Sequence, residues 1–397
     1  MQPLQPGETM TTRPGGRPGG RRTSTQRIDA PEQLLGRVLD GRFRLDEVLN
    51  AGGMGIIFRG TQLSVGRQVA VKLLKPTLAS ESELMRRFSR EVDVISGLAH
   101  PNIVAFIDAG RDAGGLMYLV MEYVEGKTFR ESLQAGEMTL LDILEVFGQI
   151  CDALIEAHGR QIIHRDLKFD NVMIVRQRDG RLHAKVLDFG VAKLLGEQLE
   201  LTRKGQIPGT PGIIAPELAE TNDPSARSDL YSLGVLLFTA LTGQPPFTGR
   251  NDFELMEAHR TEPVPELSEL VQEYVPESVR ELIYSLLAKL PEDRPESAQQ
   301  VRDRLEQIVK HTRQAIPFPE PYIPPTFGDA FDEALARAKH TAVSRSMEMA
   351  LAKDHKPEKE SAVAPTSIVM VLFVILLVLV AIIFRLLVEL FRGPGVS

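Results

Sequence analysis

The stretches IIHRDLKFDNVMI, residues 162–174, and KVLDFG, residues 185–190, carry the strongest structural signal in this chain. In the first of them, polar and charged residues stand between two short apolar runs, which predicts a loop bounded by strands. The side chains with chemical potential in the two stretches are Asp166, Lys168, Asn171 and Asp188. They supply a carboxylate base, a cation and two oxygen ligands of the kind that magnesium prefers.

A glycine-rich loop lies upstream, in LNAGGMGIIFRG at residues 49–60. Glycine lets backbone amides approach a phosphate chain, because it has no side-chain bulk. The usual spacing would place a glycine at Asn50, whereas Gly52 and Gly55 are present. A tight turn between two strands would have a similar sequence, so this loop alone does not establish a nucleotide site.

Lys72 ends the segment VAVK within RQVAVKLL, residues 67–74, a mostly apolar run that predicts a strand. A lysine in an apolar strand needs a partner or a ligand if it is buried. Glu91 is a candidate partner, because a helix over ELMRRFSREVDVISGL would place it on the face of Phe88, Val92 and Ile95. The alternatives are a lysine that points into water and a glutamate in a surface salt bridge.

The chain divides into a strand-rich and a helix-rich part. Strands are predicted at FRLDEVL from Phe43, at 67–74 and at 117–124. Helical periodicity follows over TLLDILEVFGQICDALIEAH from Thr139. Further helices are predicted at 228–242, 252–259, 277–289 and 297–310. This order predicts two unequal lobes.

With VAVK and the glycine loop in this order, HRDLKFDN and DFG closely resemble the eukaryotic-type protein kinases. The resemblance continues through GTPGIIAPE, SDLYSLG, LTGQPPF and PEDRP, and covers about residues 43–310. The loop GGMG, the run SDLYSLGVLLF and the apolar segment after the kinase are similar to bacterial membrane-anchored serine/threonine protein kinases. The resemblance implies an α+β, bilobal kinase fold with a small β-rich N-lobe, a larger helical C-lobe and one C-terminal transmembrane helix.

The resemblance also implies catalytic roles, ATP as the phosphate donor and Mg²⁺ as its counterion. Lys72 would hold the α- and β-phosphates while paired with Glu91. Asp166 would orient the substrate hydroxyl and accept its proton, and Lys168 would neutralise the γ-phosphate. The two metal ligands would be Asn171 and Asp188.

By the same resemblance, Ile57, Ala70 and Met173 would enclose the adenine. Backbone groups of Glu122 and Val124 would bond its edge, and Met121 would lie behind it. The loop would contribute Leu49, Asn50, Ala51, Gly52, Gly53, Met54, Gly55 and Ile56. Asn tolerates positive φ, so Asn50 is expected to weaken nucleotide binding only modestly.

Specificity and control follow from the same motifs. Lys168 after the catalytic aspartate, and Thr210 ahead of APE, match the serine/threonine branch of the family. Arg165 would receive a phosphate from the activation segment. Thr202 is the hypothesised autophosphorylation site, and Thr210 is the second candidate, although a contact with the catalytic aspartate is the favoured role for it. Glu217 and Arg294 match a buried structural ion pair of the family.

Composition limits the other classes of function. A net charge of −7 argues against a nucleic-acid-binding protein. Cys151 is the only cysteine, which excludes an intramolecular disulfide and a multi-cysteine metal site. It lies in an apolar helical run, so a buried core thiol is expected.

The segment IVMVLFVILLVLVAIIF, residues 368–384, has 17 consecutive apolar residues and would span about 26 Å as a helix. A buried core helix is the alternative. Lysines before the span slightly outnumber arginines after it, which favours a single-pass protein of the cell membrane with the kinase on the cytoplasmic side. Homodimerisation through the span stays open, although no GxxxG motif supports it.

The remaining segments complete the organisation. Residues 1–35 are rich in Pro, Gly and Arg and are predicted to be disordered. Residues 311–366 form a Pro-rich, partly helical juxtamembrane linker, and 385–397 a short tail. The predicted function is a serine/threonine protein kinase in signal transduction, acting on protein substrates. A pseudokinase, supported by Asn50 and Phe169, and a membrane-tethered scaffold are the two rivals.

Overall fold

The computed structural model describes residues 31–51, 55–74, 88–89, 92–189, 211–220, 223–271 and 275–315. Helices within these ranges are too short or too polar to cross a bilayer. The apolar run at 368–384 lies outside them.

A six-stranded antiparallel sheet forms the N-lobe, in the order β1-β2-β3-β4-β6-β5. Alternation along β4 places Val69 and Val71 on one face, where they meet Phe58 of β3 and Tyr118 of β6 in the core of the lobe. The strands are β1 Val38–Leu39, β2 Phe43–Ala51, β3 Gly55–Gln62, β4 Arg67–Leu74, β5 Phe106–Arg111 and β6 Met117–Glu122.

The residues described as helical at 88–89 and 92–96 cover a second apolar cluster of the N-lobe. Phe88 is buried there beside Leu119, and Val92 and Ile95 pack against the cluster. The predicted common face of Phe88, Val92 and Ile95 is therefore confirmed. It is the face that a helix must turn toward the strands to bury its apolar side chains.

The C-lobe is mainly helical, with a small antiparallel sheet of three strands against it. Its strands are β7 Lys127–Thr128, β8 Val172–Arg176 and β9 Leu182–Val186. The helices are α1 Phe129–Gln134, α2 Leu140–Gly159, α3 Pro216–Glu220, α4 Ala226–Thr242, α5 Asp252–Thr261, α6 Leu267–Leu270, α7 Glu277–Leu286 and α8 Ala298–Ala315.

Local sequence sets the ends of the central helices. α2 begins after Thr139, whose side chain and that of Asp142 form a reciprocal capping box. α4 begins after Ser225, and ends at Gly243, which adopts a φ of 75°. Cys151 is fully buried in α2, as predicted, and burial raises the pKa of its thiol.

The segment before β5 ties the N-lobe to the small sheet of the C-lobe. The Asn102 carbonyl accepts from Val186 N at 2.8 Å, and Val104 N donates to the Val186 carbonyl at 3.0 Å. The Asn102 amide donates to Gln149 of α2 at 3.0 Å and to the Ala184 carbonyl at 2.8 Å. β9 and the residues after it are thereby fixed against both lobes, which places Asp188 at their junction.

Several boundaries differ from those predicted. Pro31–Leu34 forms a 3-10 turn within the stretch predicted to be disordered. β6 ends at Glu122, two residues before the predicted end, and α8 continues to Ala315. Residues 162–164 are irregular, so the predicted strand before the catalytic loop is wrong. Within this stretch, His164 N donates to Asp229 of α4 and His164 Nε2 lies close to the Leu187 carbonyl.

Candidate active site

The loop between α2 and β8 holds three of the predicted site residues in direct contact. Lys168 Nζ donates to Asp166 Oδ2 at 2.5 Å. Asn171 Nδ2 donates to the Asp166 carbonyl at 2.7 Å and to Asp166 Oδ2 at 3.1 Å. Asn171 belongs to the 3-10 turn Phe169–Asn171, which leads directly into β8. Since its amide nitrogen is bonded to Asp166, its Oδ1 is the atom left to act as an oxygen ligand.

A buried carboxylate on α4 accepts hydrogen bonds from the backbone of this loop and so stabilises it. Asp229 is 2% exposed, and its Oδ2 accepts from His164 N at 2.8 Å. Its Oδ1 accepts from Arg165 N at 3.0 Å, and His158 Nε2 lies 2.8 Å from Oδ2. Arg165 has a φ of 69°, an unusual value for a residue other than glycine. The backbone hydrogen bonds to Asp229 hold that conformation in place.

The residues from β9 to Phe189 bring the second acidic side chain to the site. Asp188 has a φ of 59°, a left-handed conformation that aspartate tolerates better than most residues. Its Oδ2 lies 2.6 Å from Lys72 Nζ, which is 4% exposed. His164 Nε2 lies 2.9 Å from the Leu187 carbonyl, and its ring meets that of Phe189 edge-on at 4.6 Å. The catalytic loop and the segment of Asp188 therefore form one unit.

One face of the N-lobe sheet carries the predicted adenine and phosphate residues. Ile57 pairs directly with Lys72, and Ala70 with Met121. Directly paired residues of an antiparallel sheet point to the same side. That side is opposite to the core of the lobe, because the intervening residues Phe58 and Val71 are buried in it.

A cavity opens where this face meets the start of the activation segment. Met121 lines it together with Asp188. The place of Met121 behind the adenine stays a prediction. Its other walls are apolar, from Ile95, Leu98, Ile103, Val104, Phe106, Leu119, Val186 and Phe189.

The connection between the lobes begins at Glu122. Its N–H donates to the Ala105 carbonyl at 2.9 Å, and its Oε2 lies 2.9 Å from Lys185 Nζ. Val124 follows in irregular backbone and is half-buried. Met173 of β8 is also half-buried and pairs with Lys185 on one side and Thr128 on the other. Glu122 and Met173 thus share Lys185 as a neighbour.

At the edge of the glycine loop, the backbone conformation of Asn50 differs from the one expected from the sequence. Asn50 lies in β2 opposite Ile57, beside an irregularity in the pairing, and its φ is not positive. The expected need for a residue that tolerates positive φ is therefore wrong. Gly55 has a packing reason, because a Cβ there would lie 2.3 Å from the Leu73 carbonyl oxygen. Leu49 is 43% exposed at the end of the same strand pair.

The donor set fits a magnesium–nucleotide complex. Asp188 supplies a carboxylate and Asn171 an amide oxygen, and a magnesium ion in such sites completes its shell with phosphate oxygens and water. Across the residues that the structure describes, there is no cluster of three or more His, Cys, Asp or Glu side chains suited to a metal held by protein alone.

An ion pair fixes the segment at 211–217 to the rest of the C-lobe. Arg294 donates to both carboxylate oxygens of Glu217 at 2.8 Å, and to the carbonyls of Ala288, Arg227 and Lys289. Burial alone would raise the pKa of Glu217, but the hydrogen bonds and charge of Arg294 outweigh it and lower that pKa. The geometry agrees with the structural ion pair expected from the sequence.

A buried histidine lies beside this anchor. His259 of α5 is fully buried, and its Nδ1 lies 2.8 Å from the Tyr231 hydroxyl of α4. The Tyr231 ring in turn lies 4.8 Å from the Arg294 guanidinium carbon. Burial and the charge of Lys289 lower the pKa of His259 to about 3, so it is neutral at physiological pH. Burial also raises the pKa of Tyr231.

Some predicted site residues lie outside the described part of the chain. They are Gly52, Gly53, Met54, Glu91, Thr202 and Thr210. Their predicted roles stay predictions, including the pairing of Lys72 with Glu91.

Sequence reasoning missed two supports of the catalytic loop. Asp229 stood within the recognised motif SDLYSLG, but no role was assigned to it, although a charged residue in an otherwise apolar helix was a usable signal. Arg130 of α1 was not noticed at all, and it contacts Asp170 in the 3-10 turn. No local pattern pointed to that contact.

Comparisons with known proteins agree with this geometry. The model of the protein kinase domain matches residues 43–311. The chain is 35% identical to the serine/threonine-protein kinase pkn3 of Myxococcus xanthus over 71% of its length and 53% of that protein. It is 37% identical to PknB of Mycobacterium tuberculosis over 68% of its length and 43% of that protein. The chain therefore spans about half the length of these relatives.

Solved structures give the same result. The kinase domain of PknI from Mycobacterium tuberculosis aligns with a TM-score of 0.53 and 25% sequence identity. The alignment covers 68% of this chain and 98% of that domain.

Proposed function

The chain belongs to the protein kinase family, and we propose that it transfers the γ-phosphate of ATP to serine and threonine hydroxyls of proteins. One observation carries the proposal: Asp166 is held by Lys168 and Asn171, while Asp188 accepts a hydrogen bond from Lys72. Phosphoryl transfer asks little covalent chemistry of a protein, so positioning and charge account for most of the rate enhancement.

Each residue has a part that its position supports. Asp166 accepts the proton of the substrate hydroxyl, and Lys168, 2.5 Å from that carboxylate, stabilises charge on the transferred group. Lys72 holds the phosphates nearer the nucleoside. Asn171 and Asp188 would hold magnesium, which would neutralise the phosphate charge. Ile57, Ala70 and Met173 would enclose the adenine, and the backbone of Glu122 and Val124 would bond its edge.

The choice of serine and threonine rests on two supports. Lys168 follows the catalytic aspartate at the spacing of the serine/threonine branch. The relatives at 35% and 37% identity are themselves named serine/threonine-protein kinases.

The rival functions have less support. A pseudokinase would rest on Asn50 and Phe169, but Asn50 pairs with Ile57 in β2 and Phe169 is fully buried in the C-lobe core. The purified full chain, incubated with γ-labelled ATP, Mg²⁺ and a generic protein acceptor, tests the proposal beside Lys72→Met and Asp166→Asn. Label that appears with the wild type and vanishes in both variants supports the kinase. Nucleotide-dependent thermal stabilisation without label would favour a scaffold.

Regulation by phosphorylation of the activation segment is part of the proposal. Arg165, next to Asp166, is the proposed receiver of a phosphate on Thr202. Thr210 is the second candidate acceptor. Mass spectrometry of the active chain should find phosphate on Thr202, and Thr202→Ala should reduce activity. Full activity of Thr202→Ala would overturn this assignment.

We also propose that residues 368–384 anchor the chain as a single span in the cell membrane, with the kinase domain in the cytoplasm. The uninterrupted apolar run and the small lysine excess on its N-terminal side support this arrangement. The full chain should sediment with membranes and resist extraction by alkaline carbonate, whereas a chain that lacks 368–384 should not. Cross-linking of the membrane-bound chain would test homodimerisation.

A further inference from the structure

One aromatic side chain of the catalytic loop is buried in the core of the C-lobe. Phe169 stands directly after Lys168 and is fully buried. Its ring meets that of Phe129, the first residue of α1, edge-on at 5.3 Å, and Phe129 meets Phe147 of α2 at 5.7 Å. Such edge-to-face pairs are favourable beyond the area that they bury. Packing of Phe169 therefore holds the 3-10 turn of the loop against α1.

The next residues along both elements form an ion pair. Arg130 Nε donates to Asp170 Oδ1 at 3.1 Å, and Arg130 Nη2 donates to Asp170 Oδ2 at 2.9 Å. The guanidinium carbon also lies 5.9 Å from the centre of the Phe169 ring. A planar fork that bonds both carboxylate oxygens fixes direction as well as distance.

This pair differs from an ordinary surface salt bridge. Exposed pairs contribute little, because water and side-chain entropy oppose them. Arg130 is only 9% exposed, so its charge requires a partner in the folded protein. Asp170 keeps access to solvent, with its side chain 42% exposed.

The 3-10 turn that Arg130 contacts also contains one of the two proposed metal ligands. Asn171 is the residue after Asp170, and its N–H donates to the Lys168 carbonyl at 3.0 Å. The Asn171 carbonyl accepts from Leu187 N at 2.8 Å, one residue before Asp188. Its side chain donates to the Asp166 carbonyl at 2.7 Å. A displacement of the turn would therefore reach both proposed metal ligands and the proposed base.

We propose that Arg130 and Asp170 act as a pair of positioning residues, through which α1 sets the place of Asn171 and thereby the affinity of the site for magnesium. The inference rests on the proposed kinase activity. It assigns to α1 a role in the metal site, through the contact of Arg130 with Asp170.

A double-mutant cycle in the full chain tests it, with Asp170→Asn, Arg130→Gln and the double variant. Arg250→Gln is the matched control, because it removes a bidentate pair with Glu254 whose arginine is 89% exposed. Three quantities are measured for each chain: the melting temperature, amide hydrogen exchange of Asn171 and Leu187 without ligand, and label transfer as a function of Mg²⁺ at saturating ATP.

Asp170→Asn is the decisive variant, because its partly exposed side chain keeps its shape and the chain should stay folded. Its Mg²⁺ requirement should rise about tenfold or more, as for other groups that orient a metal ligand. The amides of Asn171 and Leu187 should exchange faster. The double variant should lose no more activity than the worse single variant, since the two groups act as a unit.

Two results would overturn the inference: a folded Asp170→Asn with unchanged Mg²⁺ dependence and exchange, or losses that multiply in the double variant. Failure of the proposed function is distinguishable from both. In that case the wild-type chain would transfer no label, while the exchange measurements, which need no activity, would still report on the pair.

Discussion

Lys72 Nζ lies 2.6 Å from Asp188 Oδ2, although 116 positions separate the two residues in the chain. The lysine comes from the N-lobe sheet and the aspartate from the segment after β9. A buried ammonium requires a partner, and here that partner is itself a proposed metal ligand. The two groups therefore meet at the point where phosphate and metal are expected to bind.

Removal of the cation should abolish most of the activity. Lys72→Met should lower kcat by about 10²–10³, the scale of loss for one preorganised group that stabilises charge in a transition state. Label transfer to a protein acceptor measures it. Lys127→Met is the control, because Lys127 is a half-exposed lysine of β7 in a long pair with Glu137. A Lys72→Met chain with wild-type kcat would contradict the assignment.

Replacing Asn50 by glycine should change the KM for ATP only slightly. Asn50 already has extended backbone in β2, so Asn50→Gly gains no needed conformation. Glycine costs about 0.5–1 kcal/mol in a strand, equivalent to a change of no more than about fivefold in an equilibrium. The KM for ATP of Asn50→Gly should therefore stay within about fivefold of the wild type. A much tighter KM in the glycine variant would show that Asn50 impairs the site.

The anchor of the segment at 211–217 should be sensitive to geometry as well as charge. Arg294→Lys keeps the charge but loses the fork that bonds both oxygens of Glu217. Breaking a buried pair costs about 3–5 kcal/mol when one charge is removed, and we expect up to about 3 kcal/mol for the lysine variant. Denaturant unfolding measures it. Arg260→Lys, in an exposed pair with Glu257, should shift stability by less than about 1 kcal/mol.

The buried His259 should make stability depend on pH. Its folded-state pKa of about 3 lies below the ordinary value of 6.5, so the unfolded chain binds a proton more readily. This contribution to stability is complete above pH 6.5 and is lost as the pH falls toward 3, by at most about 1.4 kcal/mol per pH unit.

The variant His259→Asn isolates this contribution. Its amide can keep a hydrogen bond to the Tyr231 hydroxyl in place of Nδ1, and it does not titrate in this range. Unfolding free energies measured from pH 6.5 to 4 should fall less steeply in His259→Asn than in the wild type. Equal slopes for the two chains would show that His259 is not the titrating group.

Much of this architecture could be predicted because it depends on local pattern. The mostly apolar run RQVAVKLL identified β4 with its observed bounds, Arg67–Leu74, and apolar spacing identified α2 and the face shared by Phe88, Val92 and Ile95. Asp166, Lys168 and Asn171 lie in one short loop, so their convergence followed from sequence distance alone.

The rest depends on how distant elements pack. Asp229 reaches Arg165 N across 64 positions, and Arg130 reaches Asp170 across 40, so no periodicity in either segment indicates the contact. The error at Asn50 has a related cause. The motif suggests a turn, whereas pairing with β3 holds the residue in a strand.

Asp229 has a wider consequence for how variation in this chain should be interpreted. One carboxylate, inaccessible to solvent, keeps Arg165 in a backbone state that few side chains adopt freely. An exchange to alanine there would alter none of the proposed ATP-binding groups, yet it would release the loop just ahead of the proposed proton acceptor. A survey restricted to the motifs that face the phosphates would classify this substitution as harmless, whereas we expect it to inactivate the protein.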